Sequence, residues 1–229
     1  MRELVVTNLP FTCPRGELAK KLHTQKCDEL YEQAMDILQE VEDHIHPCYL
    51  VKEFRVDTVD RDGFVIDGCR FSSKIAAHKL NGAQSVLLFI ASCGAEIGKI
   101  LDETEDELDR YILDQISYLA YLEANKRLIE AVHRQWGIDQ FIRLCPGSVI
   151  DWSVGDVCLF FKLLEGKGLY EQLGVRVLES GLIDPLKSSS GLFHVTEEEF
   201  ESCSICPRQN CEGRREAFDL ELHDQMVRL

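Results

Sequence analysis

The chain has 229 residues, ten cysteines and a formal net charge of -15, with a pI near 4.9. Its 45% apolar content supplies a packed core and excludes a disordered chain, and its length fits one large domain, or one domain with an appended element. The acidity excludes a nucleic-acid partner, which needs a positive footprint, and docking on an anionic membrane surface.

No membrane span is expected, because the longest apolar run, Val86 to Ala91, falls far short of the roughly 20 residues that cross a bilayer. The opening Met1-Arg2-Glu3 lacks the apolar stretch of a signal peptide. The expectation is a cytoplasmic protein whose cysteines serve metal, cluster or core rather than disulfides.

In chain order, Glu29 to Val41 places Leu30, Met35, Ile37, Leu38 and Val41 on one face of a charged helix, which His46-Pro47 ends. His44 and His46, two apart, are assigned to that helix end. A hairpin follows: Phe54 to Asp57, a turn at Asp60 to Gly63, then Phe64 to Ile66, the Asp-Gly pair supplying the turn chemistry. Ser72 or Ser73 caps a short helix from Lys74 to Leu80, with Gly82 as its stop. Ser85 to Ile90 is an unbroken apolar run, the pattern of a buried strand, and Gly94 turns the chain into a helix. A long helix is predicted from Glu105 to about Arg134. It has a stripe of Leu108, Ile112, Ile116 and Leu119 and a stop at Gly137. The acids from Asp102 to Asp109 are read as a solvated face and a helix start.

Arg143 to Trp152 is predicted as a loop. Ser153 caps a helix bearing Val157, Leu159, Phe160, Leu163 and Leu164, and Val175 to Leu178 and Gly191 to Val195 are read as strands. Strands and helices do not alternate strictly, so the class is α+β. Residues 1–80 form an N-terminal helix and hairpin region of the same domain, 81–200 its core, and 201–229 a polar, cysteine-rich tail. Cys27, Cys48, Cys69, Cys93 and Cys158 are assigned to the core as small fillers.

Three features carry chemistry. Cys203-Ser-Ile-Cys206 with Cys211 has the spacing to place thiolates on zinc or an iron–sulfur cluster, with Arg208, Arg214 and Arg215 offsetting the charge. Cys145, Cys158, Cys13, His194 and His223 remain open as a fourth ligand. Arg143 precedes the turn Cys145-Pro146-Gly147-Ser148, where a guanidinium grips a carboxylate in two-pronged fashion and glycine lets a ligand approach the backbone. Glu123 borders the apolar stripe of the long helix and suits an ammonium group. Together an acid and an arginine hold a free α-amino acid moiety.

An ordered series of motifs extends this reading. Arg143-x-x-Pro146-Gly147, Leu159-Phe160-x-x-Leu163-Leu164, Gly174-Val175-x-x-Leu178-Glu179-Ser180 and Pro185-x-x-Ser188-x-Ser190-Gly191 resemble the activation domain of cobalamin-dependent methionine synthase over roughly residues 80–200. Ala91-Ser-Cys-Gly94-x-Glu96 and the helix with Asp114 and Glu123 are similar too. The resemblance implies a free-standing version of a C-shaped α+β fold on a twisted antiparallel sheet. It also implies S-adenosylmethionine in a shallow groove and a corrinoid on a partner. An electron from a flavodoxin- or ferredoxin-type donor and the methyl group of S-adenosylmethionine then restore methylcobalamin. By the same resemblance Arg143 holds the methionine carboxylate, Glu123 meets the amino group, the backbone of Cys145 and Gly147 contacts the ligand, and Ser148 and Phe193 stand where the family carries tyrosines. The cysteine tail is foreign to the family.

Three readings follow. The first is an accessory protein for reductive remethylation of a corrinoid methyltransferase or methionine synthase, with no nucleophile of its own. The second adds a cluster-bearing tail that delivers the electron. The third is a non-catalytic module that binds a corrinoid protein and carries a structural zinc or an iron–sulfur electron-transfer tail.

Overall fold

The computed structural model describes residues 2–164, 169–211 and 213–229. Its elements are β1 (Glu3–Val6), α1 (Arg15–Lys21), α2 (Glu29–Val41), β2 (Cys48–Asp60), β3 (Gly63–Ile66), β4 (Cys69–Phe71), α3 (Lys74–Lys79), β5 (Ser85–Ser92), α4 (Ala95–Glu103), α5 (Glu107–Trp136) and β6 (Phe141–Leu144). Then follow α6 (Val157–Leu164), α7 (Leu169–Leu173), β7 (Arg176–Val177), β8 (Ile183–Asp184), β9 (Ser188–Val195) and α8 (Leu220–Val227).

Seven strands form one sheet in the order β4-β3-β2-β5-β9-β6, with β1 beside β2. Every pairing in it is antiparallel. β2 joins its two halves, pairing through Cys48–Arg55 with β5 and through Val56–Asp60 with β3. The turn between β2 and β3 is the predicted one, tightened by the Asp60 carboxylate, which accepts from the Asp62 N–H at 2.9 Å.

The unbroken apolar run of β5 reflects a strand covered on both faces. Val86, Leu88 and Ile90 point into a large core with Phe54, Phe64, Phe71, Trp152 and Phe160. Leu87, Phe89 and Ala91 point into a second core under α5, against Ala124, Leu128 and Val132. The N-terminal half of α5 packs instead on α1, α2 and α4, where Ile112, Ile116 and Ala120 meet Leu18, Leu38 and Ile97. At about 1.5 Å per residue, this 30-residue helix is long enough to serve both cores. Its start is fixed by Asp106, whose side chain accepts from the Leu108 and Asp109 N–H groups, and its end by Gly137 in the left-handed conformation, φ 66°. One position of the predicted stripe differs: Leu108, in the first turn, is exposed.

Arg143 is not in a loop. It sits in β6, hydrogen-bonded along β9 with Arg143 opposite Phe193. Four residues are too few for an alternating pattern to stand out. Of the cysteines assigned to the core, Cys48 and Cys93 are buried, and burial pushes both thiols up to about 12. Cys27 is exposed, at the turn before α2. Past Glu201 the chain still contributes to the main core through Ile205 and Met226. Among the described residues no helix is long and apolar enough to cross a membrane.

Candidate functional site

The alternation of β6 decides where its side chains go. Ile142 and Leu144 enter the large core, while Phe141 and Cys145 face the α5 side of the sheet. Arg143 lies on that same α5 side, its guanidinium carbon 4.6 Å from the centre of the Phe89 ring. Nη2 donates to Ser189 Oγ of β9 at 3.0 Å. Nε is buried without an acceptor. An unpaired buried donor costs roughly 1–3 kcal/mol.

The loop after β6 is closed on itself. The Cys145 carbonyl accepts from Ser148 N at 3.1 Å, Val149 N at 3.2 Å and Ser148 Oγ at 2.9 Å. The Gly147 N–H donates to the Trp152 carbonyl at 2.9 Å. Gly147 has φ +79°, and a Cβ there would stand 3.3 Å from Val154 Cβ, so glycine serves both the turn and the close packing. The Cys145 carbonyl and the Gly147 N–H are thus both hydrogen-bonded within the loop.

Glu123 and Phe193 are placed differently from Arg143. Glu123 accepts from Arg127 Nε, one helical turn on, at 2.7 Å. It lines a groove of about 480 Å³ between α5 and the segment around Pro10 and Phe11. Phe193 is fully buried, its ring 4.5 Å from that of Phe89 and 4.7 Å from that of Phe141. Its side chain offers no surface to a ligand, because position 193 faces inward under α5.

Two further residues, Glu201 and Arg215, stand beside Arg143. Glu201 forms an isolated parallel bridge with Arg143. Its Oε2 accepts from Arg215 Nε at 2.9 Å and its Oε1 from Arg215 Nη2 at 2.5 Å. Burial alone would raise the Glu201 carboxyl, but Arg215, with Arg143 adding, holds it below the ordinary carboxylate range. Arg215 is itself raised, first by its hydrogen bond to Glu201. The basic residues after Cys206 were visible in the sequence, but nothing local pairs Arg215 with an acid 14 positions earlier.

The tail cysteines are organised by an arginine where their spacing suggests a metal. Arg214 Nη1 donates to the Cys203 carbonyl at 2.9 Å and Nη2 to the Cys206 carbonyl at 3.1 Å and to that of Arg208. Among the described residues no three His, Cys, Asp or Glu side chains are grouped as a metal ion would need. Cys203, Cys206 and Cys211 are partly exposed free thiols. Of the other ligand candidates, Cys13 is a buried thiol, which burial pushes up to about 12. His194 is held below its ordinary value by burial, with Glu198 opposing.

No protein-family model matches the chain, and no curated protein does. Among solved structures, the crystal structure of the MetH reactivation domain bound to AdoHcy is similar over 87% of this chain and 80% of that one. The TM-score is 0.60 and the sequence identity 17%. The fold is similar to that of the MetH reactivation domain. At this identity the likeness concerns fold alone, and the expected class, a mixed helical fold on an antiparallel sheet, agrees with it.

Proposed function

We propose that the chain binds S-adenosylmethionine and supports reductive remethylation of a corrinoid held by a partner protein. The observation that carries the reading is the buried, unpartnered Nε of Arg143 in a fold similar to one solved with AdoHcy bound. AdoHcy and S-adenosylmethionine share the amino acid end that a guanidinium recognises. When bound, S-adenosylmethionine supplies an activated methyl group. The residues of this chain bind and orient it. Arg143, braced by Ser189 and the Phe89 ring, takes the carboxylate. Glu123 meets the ammonium group if the ligand reaches from β6 to the α5 groove. Holding the sulfonium in one pose supplies the positioning, and no side chain has to act as a nucleophile.

The partner in this reading is a corrinoid protein such as the cobalamin-binding part of a methionine synthase. The electron comes from a flavodoxin- or ferredoxin-type donor. The strongly acidic surface suits a partner with basic patches. The test is recovery of activity by a corrinoid methyltransferase in its inactive Co(II) state, given S-adenosylmethionine and titanium(III) citrate. Recovery that requires this chain, and that Arg143→Ala abolishes, supports the reading. Equal recovery with and without the chain overturns it.

A further inference from the structure

The C-terminal segment forms a loop whose two ends meet. The Asp219 N–H donates to the Ser204 carbonyl at 2.7 Å, and residues 205–211 and 213–218 run out and back between them. Surface loops with closed ends, filled by a side chain of their own, are a recurring functional form. Here the filling is Arg214, whose guanidinium donates to the carbonyls of Cys203, Cys206, Arg208 and Glu216. Core side chains hold the ends: Ile205 at one, Leu222 and Met226 beyond the other. Among the described residues between Cys206 and Asp219, none belongs to a core cluster. Such a loop can move about its ends without unfolding the core.

The loop lies across the candidate site. Gly213 stands against α5, where a Cβ would be 3.9 Å from Tyr118 Oη. Two residues on, Arg215 is hydrogen-bonded to both oxygens of Glu201, which is bridged to Arg143 of β6. Three consecutive residues span at most about 7 Å between their outer Cα atoms. Gly213 to Arg215 therefore closes the gap between α5 and the edge of the sheet, the two walls of the space that holds the Arg143 side chain. The floor of that space is the start of β9. Ser189 accepts from Arg143, and Lys187, two residues earlier, has its Nζ 5.4 Å from the centre of the Tyr118 ring. With Nε buried, a ligand carboxylate reaches that nitrogen only when part of this enclosure moves.

We propose that the loop between Ser204 and Asp219 is a gate over Arg143, braced by Arg214 and latched by Arg215 on Glu201, and that it swings away from Tyr118 to admit a carboxylate to the guanidinium. The latch is a partly exposed ion pair, which holds weakly, so opening leaves the core anchors in place and breaks only surface contacts. The gate sets how fast a ligand enters and leaves, while the strength of binding stays with Arg143. This inference rests on the reading of Arg143 as the site of a ligand carboxylate.

Access to the Arg143 guanidinium is measured with phenylglyoxal, which modifies the arginines it can reach. The full-length protein is treated under native conditions to low conversion, and each arginine is followed by peptide mass spectrometry, with exposed Arg61 as the internal reference. In the wild type Arg143 should react at least about tenfold more slowly than Arg61, as for a site open about a tenth of the time or less. Arg214→Ala, which empties the loop of its filling, should speed the reaction of Arg143 at least about threefold and leave Arg61 unchanged. Glu201→Gln keeps the shape of the side chain and removes the charge of the latch, and should act in the same direction. Circular dichroism checks the fold of both variants, and Glu201→Gln decides alone if Arg214→Ala does not fold. Arg143 rates equal to the wild type in the folded variants overturn the proposal, as does an Arg143 that reacts as fast as Arg61 in the wild type. No ligand enters this experiment, so its failure is separate from failure of the S-adenosylmethionine reading. Faster Arg143 modification in variants of a protein that binds no S-adenosylmethionine would keep the gate and remove that ligand.

Discussion

Arg143 and Glu201 are partners across a parallel bridge, yet both oxygens of Glu201 are engaged by Arg215. The acid beside the candidate ligand-binding arginine is thereby restrained by a second arginine, and Arg143 keeps a buried donor unpaired.

This arrangement predicts a competition. In Arg215→Ala, Glu201 loses its clamp and becomes the nearest acceptor for Arg143, so affinity for S-adenosylmethionine should fall about tenfold, or by about 1.4 kcal/mol. In Arg215→Ala/Glu201→Gln the competitor loses its charge and much of the affinity should return. Isothermal titration of both variants checks this. No rescue by Glu201→Gln would mean that Arg215 supports the site by folding the segment rather than by holding the acid.

Phe193 stands where the resembling family carries a tyrosine, but it lies under α5 with no exposed surface. Phe193→Tyr should not raise ligand affinity. It should cost roughly 1–3 kcal/mol of stability, because the new hydroxyl is buried between Phe89 and Phe141 without a partner. Urea denaturation gives the stability, and a gain in affinity would show that this position reaches the ligand.

Gly191 brings β9 and β6 together: an added Cβ would meet Cys145 Sγ and the Leu144 carbonyl oxygen, each at 2.6 Å. Gly191→Ala should therefore destabilise the protein by roughly 1–3 kcal/mol, the usual cost of overpacking. Exchange of the β6 amides should speed up more than that of β2 amides, which a residue-resolved hydrogen-exchange measurement reads.

His194 predicts a pH dependence. Its folded-state value lies below the unfolded 6.5, through burial and against the opposing pull of Glu198. The unfolded chain therefore takes up the proton first. Its contribution to stability is complete above 6.5 and is lost as pH falls through the folded value. The melting temperature should drop as the pH falls below about 6.5, and His194→Gln should flatten that drop. Glu201, also lowered, acts in the carboxylate range at lower pH and does not mask it.

Much of this fold was legible because its signals are local. The α2 stripe, the Asp62-Gly63 turn, the Ser73 cap, whose Oγ accepts from Ala76 N at 3.0 Å, and the Gly137 stop each act within a few residues. The two-sided burial of β5 shows in its unbroken apolar run. β1, β6 and α8 were not legible, since four-residue strands and a short, half-polar last helix take their structure from what they pack on. The site divides in the same way. The Arg143–Ser148 segment stands out as arginine before a Pro-Gly turn, whereas Glu201 and Arg215 join it only through a bridge between distant segments. The spacing of Cys203 and Cys206 suggested a metal, but spacing does not reveal that Arg214 holds the carbonyls of both residues.

The most direct measurement is calorimetric titration of S-adenosylmethionine into the reduced protein and into Arg143→Ala, with circular dichroism confirming that both are folded. Saturable binding to the wild type, weakened at least about a hundredfold in the variant, is the result predicted for a lost charge-assisted carboxylate contact of about 3 kcal/mol. Binding of equal strength in both proteins, or none in the wild type, would contradict the assignment of Arg143 as the ligand-carboxylate site.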